Sequence, residues 1–302
     1  MNSGKKKLFC FGFGYVAAHL AKTLQSDSGQ NWQIMGTTRD PIKRSQLKDK
    51  SYQAYLFEDI HPLIDPLYVL EGVTHLLISV PPKDDGDIVL QAHLDDILQI
   101  PTIEWIGVLS ATSVYGDRSG ATVSESDEIK PTSKRGSRRA KMEEQWRKLV
   151  RLNDLPVHIF RLAGIYGPGR SALDSINAGI ARRILKDGHK FNRVHVADIV
   201  QTLIASMHKP NPGAVYNVSD DDPAASHEVI AYAAELLGVE PPKIVDYDEA
   251  NLPPMAKSFY DENKRVCNKK IKEELGIKLL YPDYKAGLKA CLTEENIDTM
   301  FL

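Results

Sequence analysis

Short apolar runs alternate with amphipathic stretches along most of the chain, and glycine, proline and polar turns separate them. Apolar runs at Leu8–Phe11, Trp32–Met35, Gln53–Phe57, His75–Val80, Trp105–Leu109, Val157–Arg161 and Ala214–Val218 have the length of strands. His75–Val80 is apolar at nearly every position, as expected of a strand buried on both faces of a parallel sheet. Between the runs, Tyr15–Leu24, Ile88–Leu98, Arg135–Leu149, Ser171–Lys186 and Val196–His208 carry helical periodicity. A further helix runs from an N-cap at Ser226 to Leu237 and stops at Gly238. Pro253–Tyr260 reads as an irregular segment. Strand and helix alternation of this kind predicts a doubly wound α/β architecture with a parallel sheet.

The turn after the first run concentrates the chemistry. Gly12-Phe-Gly14-Tyr15-Val16-Ala17 sits between a strand and a helix, the context in which G-x-G-x-x-[GA] marks a dinucleotide site. Gly12 permits the sharp turn, Gly14 the close approach of a pyrophosphate, and Ala17 a tight helix–strand contact. The amides opening the helix at Tyr15 and Val16 present the positive end of its dipole to phosphate. The second strand ends in Thr37-Thr38-Arg39-Asp40, where an arginine suits a 2′-phosphate and an acid suits a ribose hydroxyl. Arg39, flanked by Thr38, therefore favours NADP, with NAD possible. At the third strand end, Asp59 offers an acceptor to the adenine amino group and Ile60 a cover for the ring. Ser79, Val80 and Pro81 close the fourth strand and are expected to skirt the cofactor.

Composition narrows the setting. With 302 residues, 42% hydrophobic and 26% charged, the chain is an ordinary globular one, and its net charge of −2 creates no field for nucleic acid or an anionic membrane. No stretch reaches the length of a membrane span, and the polar Met1–Lys7 is followed by too short an apolar run for a signal peptide. Cys10, Cys267 and Cys291 are odd in number and far apart, which argues against a disulfide framework and for a cytoplasmic setting.

A set of longer motifs follows in order: FGFGY (11–15), LSATSVYGD (109–117), RLAGIYGPGR (161–170), HVADI (195–199), YNVSDD (216–221) and SFYDENKRV (258–266). Through them the chain resembles the extended short-chain dehydrogenase/reductases, the NAD-dependent epimerase/dehydratase group. It is most similar to an atypical bacterial subgroup that lacks the Tyr-x-x-x-Lys pair. The resemblance implies a doubly wound (Rossmann) sheet over residues 1–166, to which 195–220 returns, and a smaller, mainly helical lobe from 167–194 and 221–302. The cleft between sheet and lobe is then the expected site, Ser110 lies against the cofactor, and the substrate is a small molecule. A homodimer through the helix beginning near Arg135 is possible.

In that group a tyrosine and a lysine one turn later move the proton while hydride passes to the nicotinamide. Here those positions carry Arg135 and Arg139, and the accompanying Ser/Thr position carries Ala111. Arginine stays protonated and cannot act as a base, but its planar fork suits an anion or a developing oxyanion. Arg135, Arg139, Met142, Trp146 and Leu149 share one helical stripe, which points the arginines to the cleft. Thr112, Tyr115 or a bound water are the substitutes for the missing tyrosine. Relatives that bind sugar nucleotides place Asn near Gly164 and an Arg where this chain has Phe191; Arg170 and Arg193 remain to hold another anion, and Tyr260 is a further substrate contact. His195 and Asp198 open a helix and are read as structural, with no metal expected. Two functional readings follow: an NAD(P)-dependent oxidoreductase or epimerase with a rearranged centre, or a dinucleotide-binding sensor without chemistry.

Overall fold

The structure is a computed structural model that describes residues 6–26 and 31–293; the Met1–Lys5 part of the polar leader lies outside them. In chain order the elements are β1 (Lys6–Phe11), α1 (Tyr15–Ser26), β2 (Trp32–Thr38), α2 (Pro41–Asp49), β3 (Gln53–Leu56), α3 (Pro66–Val69), β4 (His75–Ile78), α4 (Ile88–Leu98) and β5 (Trp105–Ala111). A 3₁₀ turn, Thr112–Tyr115, leads to β6 (Thr122–Val123), α5 (Lys134–Asn153), β7 (Val157–Leu162), β8 (Gly164–Tyr166), α6 (Ala172–Asn177), β9 (Arg183–Leu185) and β10 (Arg193–His195). The chain ends with α7 (Val196–His208), β11 (Val215–Val218), α8 (Ser226–Leu237), β12 (Ile244–Asp246), α9 (Pro254–Tyr260), β13 (Arg265–Val266), α10 (Lys269–Glu274) and α11 (Tyr284–Thr293).

Seven strands form one sheet in the order β11-β7-β5-β4-β1-β2-β3. The pairs β1–β2, β2–β3, β1–β4 and β4–β5 are parallel. The chain winds outward from β1 to β3, then returns to the other side of β1 with β4. This doubly wound order puts the strand-order reversal at β1, where the Gly12 turn emerges, and such reversals are where ligands bind in open α/β sheets. Leu8 to Phe11 have no exposed surface and all of β4 is buried, so both sheet faces are covered, as the continuous apolar run predicted.

The chain divides into two compact units: residues 1–110, 138–160 and 203–215 form one, and residues 111–137, 161–202 and 216–302 the other. The sequence reading drew its boundary at 166, with 195–220 returning to the sheet. In the first unit, α4 and α5 are pinned together: Asp87 caps α4 by accepting from Val89 N at 2.8 Å, and its other oxygen accepts from Trp146 Nε1 at 2.9 Å. Met142, Trp146 and Leu149 are buried as the helical stripe predicted. In the second unit, Tyr166, Leu173, Val229, Ala233, Leu288 and Cys291 form a separate core among α6, α8 and α11.

Three local expectations are corrected. The helix expected over Ser171–Lys186 stops at Asn177, because Gly179 takes a left-handed φ of 66° and residues 183–185 leave to pair with β12. Pro253–Tyr260 is not irregular: Pro254 opens α9, where a proline costs no hydrogen bond. Ser226 is the first helical residue of α8 and not its cap; Ala225 stands there, its N–H bonded to Glu228 Oε2 at 3.2 Å.

Candidate functional site

Gly12 has a φ of 90°, and a Cβ on it would lie 2.9 Å from Val80 Cγ1 and 3.0 Å from Val80 N. Only glycine fits this turn. Its N–H donates to the buried Thr37 Oγ1 at 2.8 Å, and Phe13 N donates to Thr37 O at 2.6 Å, which fastens the loop to β2. Gly14 is the opposite case: a Cβ there would meet nothing within 4 Å. Open space in front of Gly14, at the first turn of α1, is what a pyrophosphate group needs. Tyr15 and Val16 are buried, and Ala17 has no exposed surface against the sheet. The residues present therefore fit a dinucleotide.

Arg39 and Ile60 line one groove of about 1140 Å³ in the first unit, together with Arg44 and Lys48 of α2. Thr38 and Asp40 are spent locally: Thr38 Oγ1 accepts from Asp40 N at 3.2 Å and Asp40 Oδ1 from Ile42 N at 2.8 Å. Asp40 is thus a helix cap, and the side chain left for a ligand is the exposed Arg39. Asp59 is ion-paired with Lys83, whose hydrogen bond holds its carboxyl below the usual range. Ser79 and Val80 close β4 with their amides on Phe11 O at 2.9 and 3.1 Å, leaving Pro81 exposed beyond them.

At the end of β5, Ser110 Oγ donates to Glu143 Oε1 at 2.6 Å, and both residues are buried. Arg139 Nη1 donates to Leu109 O. The partnership of Glu143 with Ser110, thirty-three residues away, carries no local signal in the sequence. Arg139 is anchored to the backbone at the strand end.

In the second unit the two remaining arginine-site expectations separate. Arg135 is exposed, makes no hydrogen bond with any described residue, and stacks its guanidinium 4.0 Å from the centre of the Phe259 ring. Thr112 is partly exposed and its hydroxyl likewise makes no hydrogen bond with any described residue. Tyr115 is a correction. It has no exposed surface, its OH donates to Asn217 Oδ1 and accepts from Arg161 Nη1, both at 2.7 Å, and burial pushes its pKa up. It braces the unit and has no access to a substrate.

Arg170 and Arg193 line one cavity of about 210 Å³, whereas Tyr260 packs elsewhere, among His189, Phe191 and Tyr247. Asp198 accepts from Leu280 N at 2.7 Å and Tyr281 N at 3.1 Å, a structural use. No cluster of three or more His, Cys, Asp or Glu able to hold a metal occurs among the described residues, and no described helix is long and apolar enough to cross a membrane.

No protein-family model matches the sequence. The Escherichia coli K12 protein YeeZ is 31% identical over 292 residues, covering 92% of this chain and 97% of YeeZ. The chain belongs to the YeeZ family. A solved structure in close agreement is that of a conserved protein of unknown function from Silicibacter pomeroyi, 47% identical, with a TM-score of 0.88 over 96% of this chain and 99% of that one. The fold extends well beyond YeeZ relatives. The Bacillus cereus UDP-glucuronic acid 4-epimerase, solved with NAD, aligns with a TM-score of 0.75 at 16% identity over 96% of this chain and 99% of its own.

Proposed function

We propose that the chain is an NAD(P)-dependent oxidoreductase of the epimerase/dehydratase type, with NADP preferred, acting on a small anionic, sugar-like molecule. The observation that carries this reading is the pair Gly12 and Gly14, one closed by Val80 and the other open at the start of a helix on the strand-order reversal. That a Bacillus cereus epimerase of the same fold was solved with NAD supports it. When bound, the nicotinamide dinucleotide supplies or accepts the hydride.

The chain's own residues divide the remaining work. The opening amides of α1 hold the pyrophosphate, and Arg39, backed by Arg44, holds the 2′-phosphate. Ile60 covers the adenine, and Ser79, Val80 and Pro81 border the cofactor. Arg135 stacks on Phe259 with its donors unengaged among the described residues, so it takes the anionic group of the substrate or a developing oxyanion. Arg139 and the Ser110–Glu143 pair fix the end of β5 on which the reacting centre is built. With no tyrosine at position 135 and Tyr115 buried, the Thr112 hydroxyl relays the proton between substrate and water. This makes the centre that of an atypical subgroup.

The test is a fluorescence titration of the purified protein with NADPH and NADH, followed by addition of carbonyl compounds. Tighter binding of NADPH, with its consumption by at least one carbonyl compound, is expected. Failure to bind either nucleotide overturns the reading. Binding without consumption across the panel overturns net carbonyl reduction and leaves a returned-hydride epimerase, another substrate or a sensor.

A further inference from the structure

The 210 Å³ cavity of the second unit plays no part in the reading above. It lies among α6, α8, α11 and β10, with Arg193, Ser226 and Tyr284 as polar walls and Val229, Ile230 and Leu288 as apolar ones. Arg170 stands exposed at its rim.

Donor capacity in this cavity exceeds what the protein uses. Arg193 Nη1 donates to Phe191 O at 3.1 Å and Ala224 O at 2.9 Å, and the guanidinium makes no other hydrogen bond among the described residues, which leaves Nε and Nη2 over. The hydroxyls of Ser226 and Tyr284 make no hydrogen bond with any described residue. The neighbouring acids do not neutralise Arg193 by pairing. Asp174 is bonded to Ser171, and Glu228 to the Ala225 amide. Asp220 is 3% exposed and neither carboxyl oxygen has a hydrogen-bond partner. Burial pushes its pKa up to about 8, so near neutral pH it is mostly uncharged beside a charged guanidinium.

We propose that this cavity binds a small organic monocarboxylate. Its carboxylate accepts from Arg193, with Ser226 and Tyr284 donating as well, and its apolar body packs on Val229, Ile230 and Leu288. A doubly charged phosphate suits the cavity less well, because Arg193 is its single deep cation and Val229, Ile230 and Leu288 offer a phosphate no hydrogen bond. The site is independent of the dinucleotide loop and adds a second ligand to the protein.

Benzoate is the probe and inorganic phosphate the control, each titrated into the full chain by isothermal titration calorimetry. Benzoate is expected to bind saturably. Arg193→Gln should weaken it by about tenfold or more, the usual scale for a charged hydrogen bond, and Tyr284→Phe by about threefold or more. Ile230→Glu should abolish it by setting a negative charge in the cavity. If Arg193→Gln does not fold, as judged from its thermal transition, Tyr284→Phe and Ile230→Glu carry the test. Absence of saturable benzoate binding, binding unmoved by Ile230→Glu, or tighter binding of phosphate than of benzoate overturns the proposal.

Discussion

Asp220→Asn keeps the size of the side chain and removes its ability to ionise. In the folded chain this carboxyl is buried, and burial raises its pKa from 3.8 to about 8 against the opposing pull of the Arg193 charge. Between those values the unfolded chain has released the proton and the folded chain still holds it. Stability contributed by this group therefore falls with rising pH across that window, by about 1.4 kcal/mol per pH unit, and levels off above pH 8. The full window corresponds to a ceiling of roughly 6 kcal/mol. Local relaxation and water entry reduce such penalties, so about 2 to 4 kcal/mol is the expected effect. An asparagine amide suffers the same lack of partners at every pH, so its own cost cancels when two pH values are compared. Urea unfolding of the native chain and of Asp220→Asn at pH 5, 7 and 9 gives the comparison. About 1.5 kcal/mol of the effect is already lost at pH 5, so the variant should gain about 0.6 to 2.3 kcal/mol on the native chain between pH 5 and pH 9. Stability curves that stay parallel within about 0.5 kcal/mol would refute the argument, since they would mean that Asp220 ionises as readily folded as unfolded.

Four further outcomes are expected. Gly12→Ala should lower stability by about 1 to 3 kcal/mol, because alanine at a φ of 90° is strained and its Cβ meets Val80; Gly14→Ala should leave the melting temperature nearly unchanged but weaken NADPH by about tenfold or more. Arg39→Ala should equalise the affinities for NADPH and NADH in a fluorescence titration, and equal affinities in the native chain would remove the role given to Arg39. Tyr115→Phe should cost about 1 to 3 kcal/mol in urea unfolding by stranding Arg161 and Asn217, while leaving NADPH affinity in place. Arg135→Tyr with Arg139→Lys should keep cofactor affinity within a few-fold, and a collapse would show that the arginines hold the dinucleotide itself.

What could be read in advance followed from local chemistry. Ile88–Leu98 and Val196–His208 were placed to the residue, because each is a periodic stretch with polar turns at its ends. The Gly12–Ala17 turn was legible because its demands on backbone conformation and side-chain size fall on adjacent residues. The misreadings share a different cause. Ser171–Lys186 has helical spacing, yet residues 183–185 pair with residues 244–246, about sixty positions further on. Tyr115 sits in a motif that suggests chemistry, and its withdrawal into the interior depends on Asn217 and Arg161. Asp220 belongs to the polar motif YNVSDD, and its burial beside Arg193, twenty-seven residues earlier, has no local signal.

The division of the first unit into three separate stretches has a consequence for how the protein comes into being. Its sheet lies next to β7 on one side only until β11 arrives, and Ile159 N waits for the carbonyl of Ala214, more than fifty residues later. A nascent chain emerging from the ribosome therefore cannot finish either unit before residue 218 has been made, and the β7 edge stays open meanwhile. Expression of residues 1–166 as a stand-alone nucleotide-binding fragment would leave that edge open permanently and invite aggregation, whereas a fragment carried past Val218 closes the sheet.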